Sequence, residues 1–233
     1  MAIIRLDRFL SNQAGLSRNE AREILKSQRV TVNGNMQKNF DYKIDTDRDI
    51  VAIDGETVGY DEFIYLLMNK PAGVLTATED KRQSTVLDLV PQIFKRKNLS
   101  PVGRLDKDTT GLLILTDDGV FAHKVISPKS SIEKEYIAVL DGDITDKDVK
   151  VFAEGIVLAD GTVCMPAVLK RIDSCVASIV IKEGKYHQIK RMFGTIGLGV
   201  NALKRVRISN LSLPENLPEG EIVKIRKNDI IAD

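Results

Sequence analysis

Hydrophobic positions near the start of the chain follow the spacing of two short amphipathic helices. The first helix is indicated by apolar residues that share one helical face: Leu6, Phe9 and Leu10. It is expected to end near Gly15. Ser17 and Glu20 have the spacing of a capping box, which satisfies two free amide groups at a helix start. A second helix is therefore predicted from Ser17 to about Gln28.

Short apolar segments separated by turn residues follow these helices. Val30–Val32 and Ile50–Ile53 read as strands, and they precede the turn pairs Asn33-Gly34 and Asp54-Gly55. Two helices and a small sheet predict a compact first domain at residues 1–58.

The rest of the chain mixes strand and helix patterns without a regular βαβ alternation. Strands are predicted at five segments: Phe63–Met68, Leu112–Leu115, Glu135–Leu140, Val176–Ile181 and Arg205–Leu213. A helix is predicted from Asp117 to about Ile126, and Lys185–Gly194 reads as a strand entering a helix. The prediction is an α+β protein with a small N-terminal domain, a linker at 59–62, and a domain at 63–233 whose mainly antiparallel sheet is flanked by helices.

Composition indicates a globular protein and argues against a secreted, membrane-spanning or zinc-binding one. The 233 residues are 43% hydrophobic, enough to bury the core of one large domain or of a small and a medium domain. The sequence shows no signal peptide and no apolar run of membrane-spanning length. Cys164 and Cys175 lack a C-x-x-C pattern, and His123 and His187 lie far apart, so reduced thiols are expected and a zinc site is not. These features predict a soluble, cytoplasmic protein.

Charge is distributed unevenly, although the net charge is +1. Basic residues dominate up to residue 40, and acidic residues dominate from 41 to 62. Arg18, Arg22 and Lys26 recur every four residues and predict a basic stripe along the second helix. Such a stripe is either a solvated helix face or a surface that attracts phosphate groups.

Residues 103–119, GRLDKDTTGLLILTDDG, place charged side chains just before a short apolar strand. After Pro101, this pattern predicts a rigid loop that carries Asp106 with Arg104 beside it. Asp106 and Asp108 could form a glycosidase-like pair, but residues two positions apart rarely present their carboxylates at the separation that two-carboxylate hydrolysis needs. A single carboxylate acting as nucleophile or base fits the loop better.

Several motifs resemble those of one enzyme family. Residues 103–119 are similar to the GRLD signature of pseudouridine synthases that carry an N-terminal S4 domain, a family typified by the small-subunit rRNA enzyme. From Arg5 to Gly34, the pattern R-L-D-x-F-L…S-R-x-x-A-R…V-x-V-N-G resembles an S4 RNA-binding domain. Other family motifs are similar to three later segments: Lys70-Pro-Ala-Gly73, Lys134-Glu-Tyr136 and Glu183–Met192. The resemblance implies an S4-like RNA-binding domain followed by a catalytic domain.

The resemblance also implies roles at the site. Asp106 is implied to be the catalytic residue and Lys190 to pair with it. Tyr136 is implied to stack on the target base, with Ile189 against the same base. Arg104 is expected to bind the substrate, by stabilising the detached uracil, by holding a backbone phosphate or by keeping the flipped-out space open.

RNA-binding residues are expected in both domains. The resemblance implies phosphate contacts by four residues of the S4-like domain: Arg5, Arg18, Arg22 and Lys26. Lys185, Lys190 and Arg191 read as a further phosphate patch. His187 is expected to position its loop.

The function implied by the resemblance is isomerisation of a specific uridine to pseudouridine in bacterial rRNA, by a monomer and without a metal or organic cofactor. Similarity is greatest to the small-subunit type, so 16S rRNA is the expected substrate and partner. Three alternatives stay open: a synthase acting on 23S rRNA, a non-catalytic S4-type RNA-binding protein of ribosome assembly, and a glycosidase that would release free uracil.

Overall fold

A computed structural model describes residues 3–231, which form two compact units. The first unit comprises the residues up to Ile64 together with Val90–Leu99. The second unit comprises Tyr65–Leu89 and the residues from Ser100 onward. The sequence predicted a first domain that ends at residue 58 and a second domain that is continuous from 63 to 233. The described units therefore differ from that division in both respects.

The segments that extend the first unit are held by hydrogen bonds. The side-chain amide of Gln13 donates to the carbonyl of Asp61 at 2.9 Å and accepts from the Asp61 amide at 3.1 Å. The side chain of Gln92 donates to the carbonyl of Gly15 at 2.9 Å. These contacts explain why the expected linker and the later segment both belong to this unit.

Two helices of the first unit match the hydrophobic pattern: α1 (Leu6–Gln13) and α2 (Arg18–Lys26). The predicted capping box is present, because the Glu20 amide donates to the Ser17 hydroxyl at 3.2 Å and the Ser17 amide donates to the Glu20 carboxylate at 2.7 Å. Gln28 has a φ of 61°, which reverses the chain just beyond α2.

Six short strands complete this unit: β1 (Ile3–Arg5), β2 (Val30–Val32), β3 (Asn35–Met36), β4 (Lys43–Asp45), β5 (Val51–Ile53) and β6 (Glu56–Val58). One sheet has the order β3-β2-β5-β6, and β1 pairs with β4. Asn33 and Asp54 both have a φ of 52°, as the predicted hairpin turns require. The two helices pack on the sheets through a buried cluster: Leu6, Phe9, Leu10, Ala21, Leu25, Val30, Val32, Ile44 and Val51.

The second unit is built on a nine-stranded sheet: β7 (Tyr65–Lys70), β8 (Ser100–Pro101), β9 (Thr110–Thr116), β10 (Lys134–Leu140), β11 (Val168–Asp173), β12 (Val176–Ile181), β13 (Val200–Ile208), β14 (Leu211–Ser212) and β15 (Ile222–Lys224). Its main order is β11-β12-β10-β13-β9-β7-β15. Within the described sheet, every pairing is antiparallel except that of β13 with β9. The predicted α+β class with a mainly antiparallel sheet is confirmed.

Four helices flank this sheet: α3 (Gly119–Ile126), α4 (Asp146–Glu154), α5 (Gln188–Thr195) and α6 (Lys227–Ile230). The sequence prediction missed α4 and wrongly expected a strand just before α5. It also expected one strand at Arg205–Leu213, where Ser209, with a φ of 50°, separates β13 from β14. None of the helices in residues 3–231 is long and apolar enough to cross a membrane.

Strands β9 and β13 cross closely at Gly111, which is paired with Arg205. Gly111 has a φ of +98°, and a Cβ there would overlap the backbone carbonyl of Arg205. Glycine is therefore required for both conformation and space. Because β9 begins at Thr110, this close crossing fixes the end of the loop that carries Asp106.

Candidate active site

The loop that carries Asp106 connects β8 to β9 and is held by Thr76. The Thr76 hydroxyl donates to the carbonyl of Leu105 at 2.8 Å and accepts from the Leu105 amide at 3.2 Å. Thr76 and Leu105 are both buried. The backbone next to Asp106 is therefore fixed by a reciprocal pair of buried hydrogen bonds.

A fully buried lysine supports the same loop from below. Lys70, the last residue of β7, donates to the carbonyls of Pro71 and Thr109 at 3.0 Å and to those of Asp106 and Lys107 at 3.3 Å. Burial lowers the pKa of Lys70 to about 8, against the opposing effect of nearby carboxylates. The Lys70 ammonium thus binds four backbone carbonyl groups and stabilises the turn where Asp106 lies.

The carboxylate of Asp106 faces two groups from the segment at the start of α5. Its Oδ2 lies 3.6 Å from Lys190 Nζ, and its Oδ1 lies 3.4 Å from His187 Nε2. The Asp106 side chain is 28% exposed, so it remains accessible to a ligand. The structure brings Lys190 to Asp106 as the resemblance implied, and it adds a contact with His187.

Lys190 also binds the second carboxylate of the loop, and more closely. Its Nζ lies 2.6 and 2.7 Å from the two carboxylate oxygens of Asp108. This hydrogen bond and the charge of Lys190 outweigh partial burial and lower the pKa of Asp108. One cation is therefore shared by two carboxylates, which the sequence pattern did not indicate.

Apolar and aromatic side chains form the wall of the cleft. Tyr136 on β10 and Ile189 on α5 are both buried and line the cleft together with Leu203. The Tyr136 hydroxyl accepts a hydrogen bond from Arg205 Nη1 at 3.4 Å. Tyr136 and Ile189 therefore lie with Asp106 in one cleft, as the resemblance implied.

The other cationic side chains predicted at the site differ in whether an acidic partner already binds them. Arg104 lines the cleft, is exposed, and makes no hydrogen bond or ion pair within residues 3–231. Lys185 forms an ion pair with the buried carboxylate of Glu183, and Arg191 Nη2 lies 2.5 Å from Asp160 Oδ2. The phosphate-binding role of Lys185 and Arg191 stays a prediction, and both already have acidic partners.

The basic residues of the first unit are also partly engaged. Arg5 donates to both oxygens of the buried Asp7, at 2.8 and 3.1 Å, and lies 2.6 Å from Asp41. Burial raises the pKa of Asp7, but hydrogen bonding and the charge of Arg5 lower it by more. Arg22 lies 3.6 Å from Asp7, and its guanidinium is 4.8 Å from the Phe40 ring centroid. Arg5 and Arg22 therefore stabilise this unit whether or not they contact RNA.

Two cations of the predicted stripe remain. Lys26 forms an exposed ion pair of 2.8 Å with Glu23. Arg18 is exposed, and within the described chain its side chain makes no hydrogen bond or ion pair, although its charge helps to lower the pKa of Asp7. Of the predicted stripe, Arg18 is thus the member that is best placed to meet a phosphate group.

Comparison with known proteins identifies the family. Residues 64–195 match the family model described as RNA pseudouridylate synthase, and residues 4–50 match that of the S4 domain. A Bacillus subtilis (strain 168) protein named uncharacterized RNA pseudouridine synthase YtzG is 40% identical over 231 residues, with 97% of each chain covered. The chain belongs to the RNA pseudouridine synthase family.

Other comparisons support the same assignment. The Escherichia coli (strain K12) protein named ribosomal small subunit pseudouridine synthase A is 37% identical, covering 97% of this chain and 98% of its own. A solved structure described as a pseudouridylate synthase has a TM-score of 0.67 at 33% identity, covering 97% of this chain and 98% of its own. The RNA pseudouridine synthase domain thus follows an S4 domain, as expected from the sequence.

Sequence reasoning missed three residues that shape the site of this synthase. The Lys70-Pro-Ala-Gly73 motif was noted only for its similarity to a family motif, although its lysine is buried under the loop that carries Asp106. Thr76 carried no recognisable pattern. Asp108 was considered only as a partner of Asp106, and the signal that could have found its contact is Lys190, a cation able to bridge two nearby carboxylates.

Proposed function

We propose that this synthase converts a uridine of 16S rRNA to pseudouridine with Asp106 as the catalytic residue. The observation that carries the proposal is the environment of Asp106: a partly exposed carboxylate with Lys190 Nζ at 3.6 Å, above a cleft walled by Tyr136 and Ile189. The small-subunit name of the Escherichia coli relative supports 16S rRNA as the substrate.

The reaction needs little beyond this set of groups. The bond between ribose C1′ and uracil N1 breaks, the base turns, and C1′ bonds to C5, which loses its proton while N1 gains one. Asp106 acts as a nucleophile or base in the first step. The target base must leave the RNA stack, and the cleft offers Tyr136 as an aromatic surface and Ile189 as an apolar one.

Cations near Asp106 can stabilise the negative charge that develops on the uracil during the reaction. The detached uracil is negatively charged, so a cation stabilises it more than it stabilises the neutral substrate. Lys190 is in place, and the exposed Arg104 has no acidic partner within residues 3–231 that would neutralise it. Arg104 is therefore free to contact the uracil or a backbone phosphate.

The pairing of Asp108 argues against a two-carboxylate glycosidase in which Asp108 is the general acid. Two-carboxylate hydrolysis requires one carboxyl group that stays protonated, with a raised pKa. The pKa of Asp108 is instead lowered by its hydrogen bond to Lys190. Asp108 is thus ionised at neutral pH and cannot serve as the general acid that such a mechanism needs.

Tritium release from labelled RNA tests the proposal. The protein is incubated with 16S rRNA carrying tritium at uridine C5, and with 23S rRNA labelled in the same way. Release from 16S rRNA without free base is expected. Release from 23S rRNA alone would overturn the 16S assignment, free uracil would indicate a glycosidase, and tight binding without release would indicate an assembly role. Analytical ultracentrifugation of the active protein tests the proposed monomer.

A further inference from the structure

Tyr186 is an aromatic residue that the described fold leaves uncovered. It lies just before α5 and is 75% exposed, whereas most large apolar side chains of this unit are buried. Its hydroxyl makes no hydrogen bond within the described residues. Its ring stacks on the imidazole of His187, with centroids 3.8 Å apart and planes 20° from parallel. One face of the tyrosine ring is thus occupied by His187.

The turn that presents Tyr186 is rigid. The Lys185 amide donates to the side-chain carbonyl of Gln188 at 2.9 Å, and Arg191 Nη1 donates to the Tyr186 carbonyl at 3.3 Å. Arg191 is itself held by Asp160 at 2.5 Å. Because these hydrogen bonds fix the backbone on both sides, the turn that carries Tyr186 is formed before any ligand binds, and the stacking on His187 orients the ring.

Tyr186 lies at the edge of the catalytic cleft. The residues on both sides of it, Lys185 and His187, line the cleft, and His187 Nε2 is 3.4 Å from Asp106 Oδ1. The aromatic pair therefore begins at the catalytic carboxylate and continues outward. A nucleotide next to the flipped uridine would be close to this pair.

Base flipping creates a need for such a surface. A uridine that leaves the stack deprives its neighbours of a stacking partner, and this loss is part of the cost of flipping. An exposed aromatic ring can replace that partner for any base, because every base has a π face. An aromatic ring exposed beside a site that receives a flipped base has the geometry for this role.

We propose that Tyr186 is a stacking platform for the nucleobase adjacent to the target uridine in the RNA. His187 supports the ring from behind, and the outer ring face receives the base. The inference rests on the proposed function in that it requires an RNA substrate whose uridine enters this cleft. It assigns to Tyr186 a binding role that is separate from the chemistry at Asp106.

Two substitutions separate stacking from other roles. Tyr186→Phe keeps the ring and removes the hydroxyl, whereas Tyr186→Leu keeps an apolar side chain and removes the π face. With C5-tritiated 16S rRNA, the leucine variant is expected to raise KM about tenfold with kcat within about twofold. The phenylalanine variant is expected to match the wild type.

A spectroscopic reporter tests the contact directly. The chain contains no tryptophan, so Tyr186→Trp introduces a single indole at the platform. In an Asp106→Asn background, which stops turnover, binding of 16S rRNA should quench its fluorescence. The matched control is Ile172→Trp, at a residue of β11 that is 58% exposed. Its emission should change far less.

The outcomes distinguish this inference from the proposed function. If the wild type releases tritium but the leucine variant has an unchanged KM, the platform is refuted and the function stands. A loss confined to kcat would also refute it, because Tyr186 would then act through His187 on Asp106. If 16S rRNA does not react, the proposed substrate fails, and the same KM comparison on labelled 23S rRNA decides the inference.

Discussion

Lys190 lies closer to Asp108 than to Asp106: its Nζ is 2.6 Å from Asp108 Oδ1 and 3.6 Å from Asp106 Oδ2. The side chain of Asp108 is 72% exposed, whereas that of Asp106 is 28% exposed. The more solvated carboxylate therefore holds the cation, and the carboxylate in the cleft receives the weaker share of its charge.

Neutralising Asp108 should redirect Lys190 to Asp106. In Asp108→Asn, the loss of a competing partner and of a neighbouring negative charge should favour the ionised carboxylate of Asp106. We expect the acidic limb of the pH–rate profile for tritium release to move to lower pH. Glu154→Gln, which neutralises an exposed carboxylate at the end of α4, is the control. Identical acidic limbs in all three proteins would show that Asp108 does not compete for Lys190.

Replacing Asp106, the proposed catalytic residue, should abolish turnover but not RNA binding. Asp106→Asn keeps the size of the side chain and removes the nucleophile or base, while the predicted phosphate contacts lie elsewhere. Tritium release should fall below detection, and the Kd for 16S rRNA should change by less than about threefold, since the change leaves the phosphate contacts intact. Activity near that of the wild type would remove Asp106 from the catalytic role.

The buried Lys70 should make stability depend on pH in the alkaline range. Its pKa is about 8 in the folded protein and 10.5 for an ordinary lysine, so the unfolded chain binds more protons between these values. The unfolding free energy of the wild type, relative to Lys70→Met, should therefore rise by up to about 3 kcal/mol between pH 8 and 10.5. Below pH 8 the difference should be constant.

Urea denaturation of both proteins at several pH values measures this difference. Lys134, whose pKa burial also lowers to about 8, is present in both proteins and cancels in the comparison. Parallel stability curves from pH 7 to 10 would show that Lys70 keeps its proton throughout that range.

Arg18 and Arg22 should respond differently to substitution, although the sequence places them on one stripe. Arg18→Ala should weaken RNA binding and reduce the slope of log K against log salt by about 0.7 to 0.9. The loss of stability should be small, because the charge of Arg18 is only one of the influences that lower the pKa of the buried Asp7. Arg22→Ala should lower the unfolding free energy by up to about 1 kcal/mol, since it removes an ion pair of 3.6 Å from Asp7, which keeps both hydrogen bonds to Arg5. An unchanged salt slope in Arg18→Ala would mean that its face is only solvated.

Local rules in the sequence predicted the parts of the fold that depend on neighbouring residues. The capping box of Ser17 and Glu20 and the turn at Asn33 require only a few adjacent positions. The same holds for Asp106, whose loop is recognisable from one continuous motif. Helix α4 also begins with a capping box, formed by Thr145 and Asp148, but its weak apolar pattern gave no prediction.

Contacts between distant segments could not be predicted in this way. Asp7 looks like an ordinary surface acid at a helix start, yet it is buried under Arg5 and Arg22. The partner of Lys190 depends on where α5 lies relative to a loop 82 residues earlier. Pairing of this kind is set by tertiary packing, which a periodic pattern does not encode.

The return of Val90–Leu99 to the first unit has a consequence for biosynthesis. When Ile64 leaves the ribosome, the S4-containing unit still lacks the segment in which Gln92 binds Gly15. At about 5 to 20 residues per second, the missing part arrives roughly 2 to 7 s later. The nascent N-terminal unit therefore cannot complete its fold until Val90–Leu99 has been synthesised, and by then the first strand of the catalytic domain has already been made.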